Sequence, residues 1–188
     1  NAVRCPDPEL AQRIEELVLK TRNKGDSVGG VVRCRIRNLP AGLGGYHAES
    51  FESEMARLLF GIPAVKGVEF GRGFELSRLK GSESNDPIGL VDGKPRTTTH
   101  RQGGVVGGIT DGNEVDFRVA FKPTSSLTLE QETVNLATLK PAKLRTQGRH
   151  DPCIVPRAVV VVENAAAIVL LDLLLRRLGE AAFHEGSA

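Results

Sequence analysis

The stretch "RTQGRHDPC", residues 145 to 153, holds Arg145, Arg149, His150 and Asp151 within seven positions, in a chain with only 4 histidines. An arginine fork can hold a carboxylate or phosphate through two parallel hydrogen bonds. Histidine gives or takes a proton near neutrality. An aspartate among cations stays ionised and can serve as a base, and the proline after Asp151 biases it towards extended backbone. The bland alternative is an ion pair in a surface loop. Two further stretches could touch an anion. "FKPTSS" offers Lys122 and the hydroxyls of Thr124, Ser125 and Ser126 beside the rigid Pro123, suited to a phosphate or the polar edge of a flavin, or else a polar strand exit. "GGVVGG", residues 103 to 108, could bring backbone N–H groups close to a ligand or simply form a bulged turn. His47, His100 and His184 share no ligand spacing, so no metal set is predicted.

The elements that must carry these stretches are partly legible. Asp7 reads as an N-cap, Pro8 as a first helical residue and Gly25 as the stop of a helix with Leu10, Ile14, Leu17 and Val18 on its apolar side. From Val31 to Leu39 the pattern turns to period two, with Val32, Cys34 and Ile36 on one face and Arg33, Arg35 and Arg37 on the other. "ESFESEMARLLFG" reads as a helix, "AVKGVEFG" as a short strand, and "EVDFRVAF" as a strand hiding Val115, Phe117, Val119 and Phe121. Residues 71 to 113 are rich in Gly, Ser, Thr, Asp and Pro and are expected to be mostly loop. Residues 159 to 178, including "AAAIVLLDLLL", read as a buried helix ending in Arg176 and Arg177, with a frayed tail over 180–188.

Composition sets the class. A chain of 188 residues is expected to form one domain spanning 1–188, or part of a larger one. The net charge of +2 and the 4% aromatic content argue against a general nucleic-acid binder; the arginine face of the early strand is the only feature pointing that way. Three widely spaced cysteines suggest neither a disulfide framework nor a zinc site and fit a reducing, cytoplasmic setting. No membrane anchor is expected.

The motif order "GDSVGGVV", "IPAVKGVEFG", "GSESNDPI", "GGVVGGITDG", "VAFKPTSS", "GRHDPCIVPRAVVVVE" closely resembles the second half of the chorismate synthase family, from "NAVRCPDPE" to "LLLRR". The resemblance implies an α/β sandwich with antiparallel sheets inside and helices outside, assembled as a homotetramer. It implies a carbon–oxygen lyase: anti-1,4-elimination of phosphate from 5-enolpyruvylshikimate 3-phosphate to chorismate, the final shikimate-pathway step towards aromatic amino acids, with reduced FMN and no net redox change. Asp151 matches the family aspartate that works with the flavin N5 in removing the C6 hydrogen, and His150 its supporting neighbour. Cofactor contacts map to Ala64, Gly107, Lys122, Pro123, Thr124, Ser125, Ser126 and Arg149, and Arg145 to the substrate anions. The family's opening Gly-Glu-Ser-His-Gly motif and arginine-rich segment do not occur in these residues, and His100 and Arg101 stand where the family shows Asn and a variable residue. The alternative is therefore a truncated, non-catalytic relative that binds flavin or anions.

Overall fold

Alternating apolar residues in two stretches 79 to 91 positions apart meet as neighbouring strands. In the computed structural model, which describes residues 1–185 except Asp92 and Arg149 and, for 180–185, the backbone alone, the first helix α1 (Pro8–Asn23) is followed by β1 (Gly30–Ile36). Then come α2 (Phe51–Phe60), β2 (Val65–Phe70), a short helix α3 (Gly81–Ser84), β3 (Ile88–Val91), β4 (Lys94–Thr97), β5 (Val105–Val106) and β6 (Ile109–Thr110). The chain continues through β7 (Val115–Phe121), β8 (Gln131–Asn135), β9 (Lys140–Leu144) and the long α4 (Val155–Glu185).

Strands β1, β7 and β2 form an antiparallel sheet in that order, with Val32 opposite Val119 and Cys34 opposite Phe117. A register shift between Val65 and Gly67 lets Val65, Val68 and Phe70 stay on the inner face. There they join Val115, Phe117, Val119 and Phe121, all buried. Two helices cover this face: Phe51, Met55 and Leu59 from α2, and Ala158, Val162, Ala166, Val169 and Leu173 from α4. Glu54 of α2 accepts from Arg57 and from Arg176 of α4, which ties the two helices together at their polar edge. The architecture is α/β with antiparallel sheets, as the motif order implied.

The sheet's other face corrects one expectation. Arg33, Arg35 and Arg37 are not a bare cationic stripe: Arg33 forms a two-toothed pair with the buried Asp116, and Arg35 and Arg37 share Glu114. The Asp116 hydrogen bonds hold the Arg33 guanidinium above its ordinary range. With two carboxylates set against three guanidiniums, the face keeps a surplus of one positive charge, far short of the several phosphate contacts that general nucleic-acid binding rests on.

Three further expectations need revision. Residues 71–113 are more structured than their composition suggests, forming a 3-10 turn (Gly73–Arg78), α3 and two hairpins, β3–β4 and β5–β6. Gly71 and Gly103, both at positive φ, lie against each other so closely that a Cβ on either would strike the other's backbone. The cap of α1 is as read, with Asp7 accepting from the Leu10 N–H at 3.0 Å. Its apolar side, however, is only partly covered: Leu10 and Leu17 are exposed and Ile14 and Val18 half-buried, while Ala11 and Thr21 are the residues buried.

The last helix starts earlier than expected, at Val155, and continues to Glu185; the end of the expected tail, 186–188, lies outside the described residues. One side packs on the sheet, whereas Val161, Ile168, Leu171, Leu175 and Leu178 are exposed, so the helix is buried on one face rather than all round. By length and composition Val155–Gly179 could cross a membrane, but the buried face shows it acting as a core helix of this sheet.

Candidate functional site

The exits of three elements converge at one end of the sheet. After α1, Gly25 takes a positive φ and packs so tightly on Thr128 that a Cβ would collide with its hydroxyl. Its carbonyl accepts from the Thr128 N–H at 3.1 Å. Ser27, two residues on, donates its hydroxyl proton to the Thr124 carbonyl at 2.6 Å. Gly29 lies against the Phe121 carbonyl and the start of "KPTSS", where a side chain would not fit. From the other direction the Val28 N–H donates to the Pro152 carbonyl at 2.8 Å. The segment "GDSVGG" is thus the strap that binds "KPTSS" on one side to "HDP" on the other, two motifs some 25 residues apart in sequence.

Between them lies a cavity of about 230 Å³. Ser126, His150 and Asp151, all singled out in the sequence, line it together with Arg22, Asp26 and Ser27, which were not. Asp151 is half-buried, and its Oδ2 lies 2.9 Å from Nη1 of Arg157 in the first turn of α4. His150 is exposed, with its ring against Gly148. Lys122 projects into solvent while its N–H donates to the Ala64 carbonyl at 2.9 Å; Ala64 itself sits at φ +72. The Thr124 hydroxyl is buried and has no hydrogen-bond partner. His100 Nε2 is likewise buried without a partner, and each costs stability unless a group outside the protein satisfies it.

Other residues fall elsewhere. Pro123 and Ser125 are exposed beside this cavity's wall, on the loop that leaves β7. Arg145 donates Nε–H to the Thr128 carbonyl at 2.6 Å, so that nitrogen buttresses the loop. Gly107 is the tip of the β5–β6 hairpin, where Gly107 and Gly108 both have positive φ as a two-residue turn of this kind requires. That hairpin is fastened to the start of α2 through the Phe51 N–H and the Gly108 carbonyl at 2.8 Å. Among the described residues no hydrogen bond links Gly107 to the cavity. Arg149 lies outside the described residues.

Arg22, Asp26, Ser27 and Arg157 had weak sequence signals. Arg22 reads as a cation at a helix C-terminus, and Ser27 as one hydroxyl in a turn. "GDSVGG" stood out only as a resemblance motif.

A family model described as chorismate synthase matches residues 1–175. The chain belongs to the chorismate synthase family. A chorismate synthase of Dehalococcoides mccartyi (strain ATCC BAA-2266 / KCTC 15142 / 195) is 52% identical over 174 residues, covering 93% of this chain and 48% of that protein. One from Korarchaeum cryptofilum is 48% identical over 176 residues, covering 94% and 49%. A crystal structure of chorismate synthase superposes with a TM-score of 0.75 at 34% identity, covering 94% of this chain and 46% of that one. The chain spans about half the length of the curated relatives it matches. Its cavity is built wholly from this shared half of the family.

Proposed function

We propose that the protein carrying this chain is a chorismate synthase: a lyase that eliminates phosphate and the C6 proton from 5-enolpyruvylshikimate 3-phosphate, giving chorismate. It would act in the cytoplasm, as a homotetramer, at the end of the shikimate route to aromatic amino acids. The observation that carries the reading is the single cavity into which Ser126, His150 and Asp151 converge.

The donor set has the chemistry reduced FMN requires, and Ser126 is its member in the cavity lining. Lys122, Pro123, Thr124, Ser125, Ser126 and Arg149, with the backbone at Ala64 and Gly107, would hold it, and the unpartnered Thr124 hydroxyl is the atom most in need of such a ligand. When bound, reduced flavin supplies electron density to the allylic system as phosphate departs. The chain's own residues do the rest. Arg145 and Arg22 lend positive charge to a substrate with one phosphate and two carboxylates. Asp151, paired with Arg157, accepts the proton lost from C6, and His150 supports it from the adjoining position.

The test is Asp151→Asn in the protein as its gene encodes it, assayed anaerobically with reduced FMN and the enolpyruvyl substrate. Turnover should fall by roughly a hundredfold or more, the scale of a lost general base. FMN affinity should change little, because the amide is nearly isosteric. Near-normal turnover would return Asp151 to the status of a surface ion pair. A competing reading is a non-catalytic flavin binder, which FMN binding with no chorismate from the unmutated protein would establish.

A further inference from the structure

We infer that Arg157 is the positioning residue that aims the Asp151 carboxylate into the cavity, an inference that rests on the proposed role of Asp151. Arg157 occupies the third position of α4, in a first turn with no acidic residue. The residue before the helix is the apolar Ile154, whose carbonyl accepts from the Arg157 and Ala158 N–H groups at 3.1 Å. A cation there runs against the positive end of the helix dipole. The helix's own preferences therefore do not explain an arginine at this place. The contact that does is the 2.9 Å pair with Asp151.

The backbone around Asp151 is already anchored. Pro152 follows it with a fixed φ, and the Pro152 carbonyl takes the Val28 N–H. What remains free is the rotation of the side chain, and the pair with Arg157 biases that rotation by engaging Oδ2. The ion pair is made through Oδ2, which leaves Oδ1 as the oxygen to take a proton in the cavity. Among the described residues, the charged or titratable groups that share the cavity lining with it are Arg22 from the end of α1, Asp26 from the loop that follows, and the neighbouring His150. The Arg157 side chain is 80% exposed, and pairs of that kind contribute little to stability. Its value is directional: a base misplaced by about 1 Å can lose on the order of a hundredfold in rate.

The experiment is a double-mutant cycle in the protein as its gene encodes it, with Arg157→Gln, Arg157→Lys, Asp151→Asn and the double variant R157Q/D151N. R157Q should lower kcat by roughly tenfold or more while KM stays within about twofold. FMN affinity, read by flavin fluorescence, should also stay within about twofold, because Arg157 is not a flavin contact in this reading. R157K should recover part of kcat, since an ammonium can still hold one oxygen. In the Asp151→Asn background R157Q should cost nothing further, because both changes remove the same function. Normal kcat in R157Q, or losses that simply multiply in the double variant, would overturn the inference. So would an R157Q variant that loses FMN affinity and folding together, or an R157K variant no better than R157Q. Normal turnover in D151N alone would instead sink the proposed role of Asp151, whatever R157Q does.

Discussion

Replacing Thr110 by Val should loosen the glycine hairpin that carries Gly107, and the cost can be built from its contacts. Thr110 is 1% exposed, and its hydroxyl accepts the Leu43 N–H at 2.9 Å while donating to the Pro40 carbonyl at 2.8 Å. Two backbone bonds run alongside, from Thr110 N–H to the Leu43 carbonyl at 2.9 Å and from Gly42 N–H to the Thr110 carbonyl at 2.7 Å. Valine has the same shape and keeps the backbone pair but satisfies neither side-chain contact. Pro40 is exposed, so its carbonyl can turn to water and loses only a net bond of about 0.5–1.5 kcal/mol. Leu43 is 1% exposed, so its N–H is stranded at a cost of about 1–3 kcal/mol. The extra buried methyl returns at most about 0.8 kcal/mol. The expected net loss is about 1–4 kcal/mol, measured by urea unfolding. Thr110→Ser is the control: it keeps both hydrogen bonds and gives up one methyl, about 1 kcal/mol. A Val variant as stable as the parent, or more stable than the Ser variant, would refute the assignment of these hydrogen bonds as the hairpin's fastening.

Two further outcomes follow from charge and burial. The Glu114 carboxyl is held below its usual range, first by the Arg37 hydrogen bond, against burial, and then by Arg35; Glu54 is lowered likewise by Arg57 and Arg176. In Asp86 burial opposes the charge, but the Arg101 and Gln102 N–H groups and the Thr99 hydroxyl outweigh it and lower the pKa. Because these folded values are depressed, their stabilisation is present above the ordinary carboxylate range of about 4 and is lost as pH falls through the lowered values. Unfolding temperature should therefore hold between pH 7 and 5 and drop below about pH 4, and Glu114→Gln should shrink that drop; an unchanged drop in the variant would argue against Glu114. The Cys34 thiol is pushed up to about 11, first by burial and then by the negative charges of Glu163 and Asp116. It should resist iodoacetamide at pH 8 in the folded protein and react once urea exposes it, with mass spectrometry locating the label; rapid native labelling would contradict the burial.

What a local pattern encodes was legible from the residues. The Asp7 cap and the alternation in β1 and β7 depend on neighbours within four positions, so they survive in the linear order. The β5–β6 turn is of the same kind: adjacent glycines allow the two positive φ values, though the hairpin itself was not evident from composition. Pairings across long separations were decided only by the folded chain. The arginines of β1 looked like a cationic stripe until the β1–β7 register set them beside Asp116 and Glu114, 77 to 83 residues away. The apolar side of α1 announced a helix but not a cover, because periodicity records which face is apolar and not what packs on it. At the site, residue types in "KPTSS" and "RHDP" pointed to anion and proton chemistry, whereas their meeting in one cavity depends on the Ser27 and Val28 hydrogen bonds that bind both to the same strap. Arg157 shows the limit most plainly: in sequence it is one more cation near a helix start, and only the 2.9 Å approach to Asp151 gives it a task.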